Sequence, residues 1–155
     1  MNFCKMNSPL GELYIFEEDN KIVQISTSYT PAKECKEEMS ELLSYTVGQL
    51  NEYFAGTRKA FSIPLDMRGT EFQKRVWNAL LEIPYGETWS YKQIAEFIES
   101  PKAVRAVGGA NHNNPIMIIV PCHRVIGSNG SLTGYAGGLD MKEHLLNLER
   151  AVIRS

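Results

Sequence analysis

The sequence contains few cysteines, no long apolar run and no strong charge of either sign. Its 155 residues include three cysteines, Cys4, Cys35 and Cys122, and this odd, sparse number argues against a disulfide framework. No run approaches the ~20 apolar residues that a membrane span needs. The N-terminal MNFCKMNSPL lacks the charged and then apolar layout of a signal peptide. We therefore expect a soluble, intracellular, cytoplasmic protein without a membrane partner.

The net charge of −2 excludes a strongly basic protein, but the charge is unevenly distributed. Residues 1–66 carry six Lys and Arg against ten Asp and Glu, whereas residues 67–155 carry ten against eight. If DNA is a partner, the second half is therefore expected to contact it. The weak charge also predicts that few phosphates are neutralised, so that affinity for DNA falls slowly with salt.

Residues 1–66 have the pattern of a small α/β domain. Segments 12–18 and 21–27 are rich in β-branched and apolar residues, and Asp19-Asn20 between them suits a tight hairpin turn. Apolar residues at helical spacing then predict a helix that Gly56 ends, and they are Met39, Leu43, Val47, Leu50 and Phe54.

A boundary between two domains is predicted near residues 66–69. The preceding FSIPLD, residues 61–66, is expected to be an edge strand or a linker, because Pro64 has no N–H to donate to a sheet. Beyond the boundary the chain is mostly helical, and each helix has a start pattern. The four starts are the capping boxes Thr70 with Gln73 and Ser90 with Gln93, the pair Ser100-Pro101, and Asp140 with Glu143.

Two short predicted helices, 90–99 and 101–110, are joined by a tight turn and form a helix-turn-helix candidate. Helix pairs of this length are common, so the pattern alone favours ordinary packing. The second helix is slim, because small residues fill it and Arg105 and Lys102 are its only long side chains. Such a helix fits a groove of a nucleic acid, and it equally fits close packing against its neighbours.

The segment IVPCHRVI places a nucleophile, a proton carrier and a cation in a row. An isolated cysteine is more often a buried structural residue. Here Pro121 ends the predicted strand IMIIV, and His123 and Arg124 are poor core residues. A loop with five glycines follows between residues 127 and 138, and its backbone N–H groups suit a substrate oxygen. We interpret Cys122 as a nucleophile whose proton passes to His123, directly or through one water.

The histidine then needs an orienting carboxylate, and Glu149 in the last predicted helix is a candidate. Spacing alone does not choose between Glu149 and Glu143. The other histidines, His112 and His144, do not pair with cysteines at zinc-finger spacing and are expected on solvated or capping faces. We therefore expect no metal and no cofactor.

The stretch VPCHRVIGSNGSLTGYAGG resembles the active-site signature of the O6-alkylguanine-DNA alkyltransferases, also called methylated-DNA–protein-cysteine methyltransferases. The likeness extends through GETWSYKQIA, PKAVRAVGGANHNNP and HLLNLE, and it is weaker in the first 66 residues, where SPLGEL and EYFAGTRKAF carry it. It implies an α+β (α/β) chain with a ribonuclease-H-like sheet-plus-helix domain over 1–66. A mostly helical, winged-helix-like domain over 67–155 would then carry the active-site cysteine and the helix-turn-helix.

The resemblance also implies roles for single residues. Cys122 would accept the alkyl group, His123 would be the water-linked base and Glu149 its orienting partner. Asn114 would organise the turn around the thiol, and Tyr91 would donate a hydrogen bond to the departing guanine. The product, an S-alkylcysteine, is stable, so each molecule is expected to act once as a suicide transferase that restores guanine.

The implied partner is double-stranded DNA containing O6-alkylguanine, entered from the minor groove by a monomer; whether O4-alkylthymine is also accepted stays open. Arg105 resembles the arginine that fills the stack vacated by a flipped base. The remaining implied contacts are Lys92, Lys102, Ala103, Ala106 and Gly108 for DNA, and Tyr135, Ala136, Gly137 and Gly138 for the guanine pocket. Ala136 stands where some family members have a serine, so the pocket would rely there on backbone N–H groups.

Three other functions fit parts of this pattern. A damage-recognition protein of the alkyltransferase-like type would lack the acceptor cysteine, which is present here. A helix-turn-helix regulator with a sensor cysteine would need a dimerisation element and a more basic face. A Cys-His hydrolase would turn over repeatedly and would not need Arg105 in a slim helix.

Overall fold

The computed structural model describes residues 1–31, 33–132, 135 and 138–154, and the chain divides into two units, Met1–Met67 and Arg68–Ser155. Among the described residues no helix has the length and apolar content to cross a membrane.

The first unit is built on a four-stranded sheet in the order β3-β2-β1-β4. The strands are β1 (Asn2–Ser8), β2 (Gly11–Glu18), β3 (Lys21–Ser26) and β4 (Lys36–Glu37). β2 pairs antiparallel with β1 and β3, whereas β4 pairs parallel with β1. The predicted hairpin is confirmed, because Asp19 and Asn20 both have positive φ, as a tight two-residue turn between twisted strands requires.

Helix α1 (Glu41–Phe54) begins where Ser40 accepts a hydrogen bond from the backbone N–H of Leu43. Leu43 and Leu50 are fully buried, which confirms the predicted apolar face. Met39 lies outside the helix and is 55% exposed, so its assignment to that face is wrong, because Ser40 caps the helix after it. The predicted edge strand over 61–66 reduces to a single bridge between Leu65 and Ile22.

The second unit consists of helices around one short parallel strand pair. The elements are α2 (Glu71–Leu80), β5 (Trp89–Ser90), α3 (Tyr91–Phe97), α4 (Val104–His112), β6 (Val125–Ile126) and α5 (Leu139–Arg154). Both predicted capping boxes form, at the starts of α2 and α3. They fix where these helices begin by satisfying N–H groups that a helix leaves without partners.

The predicted helix start at Ser100-Pro101 is wrong. α4 begins at Val104, and the carbonyl of Ser100 instead accepts from the N–H of Ala103 in a turn at 2.9 Å. Glu99 has a φ of +62°, so the chain has already left the helical direction after α3. The glycine pair Gly108-Gly109 lies inside α4 and does not end it.

Candidate active site

Cys122 opens a 3-10 turn, Cys122–Arg124, and is 2% exposed. The strand predicted for the preceding IMIIV is wrong. These buried residues fold into turns, and the N–H of Val120 donates to the carbonyl of Ile116 at 3.1 Å. Ile118 has a φ of +74°, a region that β-branched residues rarely adopt, and such strain is typical of functional sites. The chain therefore presents Cys122 from a bend and not from an extended strand.

Asn114 holds this bend together from within. Its Nδ2 donates to the carbonyl of Val120 at 2.8 Å, and its Oδ1 accepts from the N–H of Ile116 at 3.0 Å. The carbonyl of Val120 also accepts from the N–H of Cys122 at 2.8 Å. Asn114 lies eight positions before Cys122 in the sequence, and folding brings its side chain into contact with the backbone that leads into Cys122.

Glu149 on α5 is the carboxylate that contacts His123, and it is 1% exposed. Its Oε2 lies 2.6 Å from Nε2 of His123, and Arg124 donates to both carboxylate oxygens at 2.9 and 3.1 Å. The N–H of Gly86 donates to Oε1 at 3.0 Å. Glu143, the other carboxylate considered from sequence, is exposed on the same helix.

The charges of this cluster fix the tautomer of the histidine. Burial alone would raise the pKa of Glu149, but the hydrogen bonds and charges of His123 and Arg124 lower it to about 2. Burial lowers the pKa of His123 and outweighs the opposing effect of Glu149. Because an ionised carboxylate only accepts hydrogen bonds, Nε2 of the neutral His123 carries the hydrogen. Its Nδ1 is then a lone-pair base, and it has no hydrogen-bond partner among the described residues.

The thiol of Cys122 is protonated in the resting protein. Burial raises its pKa to about 11, although a hydrogen bond with Asn114 and the charge of Lys142 both act to lower it. A neutral thiol and a neutral imidazole therefore occupy consecutive buried positions, Cys122 and His123, and neither is charged in the resting protein. A thiolate at Cys122 therefore forms only if a base removes the thiol proton.

Lys142 is a site residue that the sequence analysis missed. It is fully buried on α5, its Nζ donates to the carbonyl of Val125, and it lies 5.9 Å from the ring centre of Tyr91. Burial lowers its pKa to about 8. A signal was present, because positions 142, 145, 146 and 149 share one helical face and all four are buried.

Arg124 also has a role that its sequence position did not reveal. Besides its two bonds to Glu149, it donates to the carbonyl of Ile83 at 2.8 Å and lies 5.5 Å from the ring centre of Tyr85. A guanidinium held on several sides keeps the carboxylate in one orientation. It therefore acts as the fixed cation of the cluster.

The expected guanine pocket is described only in part. Tyr135 is buried, and its hydroxyl has no hydrogen-bond partner among the described residues. Burial raises the pKa of Tyr135 well above its ordinary value, and a negative charge on Cys122 acts in the same direction once its thiol ionises. Gly138 is exposed with a φ of +100°. Ala136 and Gly137 lie outside the described residues.

The residues expected to contact DNA lie on or beside α4. Arg105, Lys102 and Ala106 are exposed, Ala103 and Gly108 are half-buried, and Lys92 is exposed on α3. A Cβ atom added to Gly108 would lie 4.0 Å from the ring of Tyr91. The other end of α4 contacts the nucleophile, because Nδ2 of Asn111 donates to the carbonyl of Cys122 at 3.4 Å.

The remaining histidines take no part in this cluster. His112 and His144 are both exposed. Among the residues that the structure covers, no group of three or more His, Cys, Asp or Glu side chains is arranged to hold a metal ion.

Comparisons with known proteins cover both units. Residues 1–67 match the model of the 6-O-methylguanine DNA methyltransferase ribonuclease-like domain, and residues 71–151 match that of the DNA binding domain of the same proteins. The chain is 51% identical to a methylated-DNA–protein-cysteine methyltransferase of Mycolicibacterium paratuberculosis, over 97% of this chain and 93% of that protein. It is also 51% identical to the constitutive methylated-DNA–protein-cysteine methyltransferase of Bacillus subtilis, over 96% and 94%.

A solved structure has the same fold. The crystal structure of Mycobacterium tuberculosis OGT in complex with DNA has a TM-score of 0.93 and 47% identity, over 98% of this chain and 94% of that chain.

Proposed function

The chain belongs to the 6-O-methylguanine DNA methyltransferase family, and we propose that Cys122 is the residue that takes the alkyl group from O6 of guanine. The reaction is the repair of methylated DNA by transfer to a cysteine of the protein. The observation that carries the assignment is the pairing of a buried thiol with a neutral histidine, whose Nε2–H is fixed by Glu149. That arrangement leaves Nδ1 as a base.

The proposed step is a direct displacement at the alkyl carbon. The sulfur of Cys122 forms a bond to that carbon, the bond from carbon to O6 breaks, and its electron pair stays with guanine. The thiol proton passes through one water to Nδ1 of His123, guanine takes up a proton from water as it leaves, and His123 then returns its proton to water. The net change moves one alkyl group to sulfur and one hydrogen to guanine, so no cofactor is consumed.

Two side chains support this step electrostatically, and a third lines the pocket. The buried cation of Lys142 favours the sulfur anion as it develops, because a charge in a dry site acts strongly. The half-buried Tyr91 hydroxyl is assigned to stabilise the negative charge on departing guanine. Tyr135 lines the pocket beside Cys122.

The thioether product has no leaving group at neutral pH, so each molecule reacts once.

The buried position of Cys122 requires the damaged base to leave the duplex. Extrusion costs a few kcal/mol, and Arg105, exposed on the slim α4, is assigned to fill the vacated space in the stack. Small residues on the same helix suit approach through the minor groove, with Lys102 and Lys92 near phosphates. The relative from M. tuberculosis was crystallised with DNA, which supports binding of DNA by this chain.

The test is intact-protein mass spectrometry after incubation with a duplex containing O6-methylguanine. We expect a gain of one methyl group, saturating at one per protein molecule and located at Cys122 by peptide mapping. Cys122→Ala is expected to stay unmodified while still binding the duplex. Cys35→Ala is the matched control, because it removes a half-buried thiol of the first unit and leaves transfer unchanged.

Two results would contradict the proposal. Methylation at Cys4 or Cys35 would move the acceptor to another residue. Binding of the damaged duplex without any gain in mass would favour recognition without repair.

A further inference from the structure

Asn111 is a buried polar residue that the proposed reaction does not use. It lies in the last turn of α4, it is 1% exposed, and its Nδ2 donates to the carbonyl of Cys122 at 3.4 Å. Its other polar atom, Oδ1, is buried and has no hydrogen-bond donor among the described residues. Buried polar atoms are rarely left without a partner, so this acceptor beside Cys122 indicates a donor that the described residues do not supply.

His123 carries a second acceptor of the same kind. Its Nδ1 is buried and has no partner among the described residues, as is the case for Oδ1 of Asn111. The two residues flank Cys122, one as its neighbour in the chain and the other through its carbonyl oxygen. A thiol donates one hydrogen only, whereas a water molecule donates two and accepts others.

We propose that Asn111 is a positioning residue that holds the relay water between Cys122 and His123. One hydrogen of the water bonds Oδ1 of Asn111, the other bonds Nδ1 of His123, and the water oxygen accepts the thiol hydrogen. During transfer the water receives the thiol proton and gives a hydrogen to Nδ1, and it stays bonded to Asn111. This inference rests on the proposed function and adds the residue that orients its proton relay.

Asn111 differs in this respect from Asn114. Asn111 donates to the carbonyl of Cys122 and Asn114 to that of Val120, but Asn114 also accepts a hydrogen bond and is therefore satisfied at both ends. Asn111 is satisfied at one end only. It also sits on the helix that carries Arg105, so the helix assigned to DNA would hold the water that the chemistry needs.

The test compares variants of Asn111 by single-turnover methyl transfer from saturating O6-methylguanine duplex. Asn111→Leu removes both hydrogen-bonding atoms at similar volume, and we expect the transfer rate constant to fall by about tenfold or more. Asn111→Asp keeps an acceptor oxygen and is expected to transfer faster than the leucine variant. Asn113→Leu changes an exposed asparagine at the end of the same helix and is the matched control, with an unchanged rate.

A double-mutant cycle separates a role in the relay from a role in folding. If Asn111 acts through the water that serves His123, then Asn111→Leu has little further effect in the His123→Ala background. An equal loss in both backgrounds would overturn the proposal, as would equal rates for the leucine and aspartate variants. Thermal unfolding checks each protein, and Asn111→Ala replaces the leucine variant in the cycle if that variant unfolds.

Wild-type protein is measured first. No methyl transfer by wild type would refute the proposed function itself, whereas normal wild-type transfer with a wild-type rate in Asn111→Leu would refute only the role of Asn111.

Discussion

Replacing Glu149 by glutamine exchanges one carboxylate oxygen for an NH₂ group. It should lower both the stability of the second unit and the rate of methyl transfer. The carboxylate accepts from His123, from Arg124 twice and from the N–H of Gly86. The glutamine amide has only one oxygen that can accept these hydrogen bonds, and its NH₂ group would face donors that it cannot bond. Arg124 then stays buried without its counter-charge, which is the costly way to break a buried ion pair.

The size of the loss follows in two ways. A pKa lowered from 4.5 to about 2 corresponds to about 3 kcal/mol of stability at neutral pH. Removing one partner of a buried ion pair typically costs about 3–5 kcal/mol, which agrees. Because folding favours the ionised form of Glu149, this contribution is complete above pH 4.5 and is lost as the pH falls toward 2.

The chemical loss has a separate cause. The glutamine NH₂ would donate to Nε2 of His123 and so move the ring hydrogen to Nδ1, which is the atom that we propose as the base. Loss of a general base lowers a rate by about 10²–10⁴-fold. We therefore expect slow methyl transfer even in the folded fraction of Glu149→Gln.

Urea unfolding at pH 7 and at pH 3 measures the stability, and single-turnover transfer at pH 7 measures the chemistry. The matched control is Glu143→Gln, an exposed glutamate of the same helix, which should leave both unchanged. Unfolding of Glu149→Gln at the wild-type urea concentration, with transfer at the wild-type rate, would contradict this role of Glu149. A stability deficit of Glu149→Gln as large at pH 3 as at pH 7 would also contradict it.

Three further substitutions test other parts of the structure. Gly86→Ala should destabilise by about 1–2 kcal/mol in urea unfolding, because its φ is +80° and the new Cβ would lie 1.8 Å from the side chain of Ile153; unchanged stability would refute the left-handed turn. Lys142→Met should slow transfer to Cys122. Folding lowers the pKa of Lys142 from 10.5 to about 8, so the stability of the wild type should rise as the pH increases between these values. Lys142→Met should lack this rise, and urea unfolding of the two proteins over this pH range measures it. Arg105→Ala should slow transfer from duplex DNA but not from free O6-methylguanine base, and equal slowing of both reactions would place Arg105 outside DNA entry.

Local patterns of the chain predicted much of the fold. The hairpin at Asp19-Asn20 and the two capping boxes depend on neighbouring residues alone, so sequence was sufficient for them. The first strand was not predicted, although Cys4 and Met6 are buried on one face and β1 pairs along its whole length with the neighbouring β2. The start of α4 was misplaced, since the turn after α3 takes the residues around Pro101.

The site was predicted where residues are adjacent and left open where folding brings them together. Cys122 and His123 are neighbours in the chain. Glu149 was not separable from Glu143 by spacing, and burial of one helical face decides the contact. Lys142 lies on that same face, but its burial was not predicted because lysines are almost always exposed.

The position of Glu149 on α5 also bears on how the protein is made. Synthesis proceeds from the N-terminus at about 5–20 residues per second, so Cys122 and His123 leave the ribosome before Glu149 does. During that interval the histidine has no carboxylate to fix its ring, and Arg124 lacks its counter-charge. Under the proposed mechanism, a nascent chain that already contains the Cys122 thiol therefore transfers no alkyl group until α5 docks.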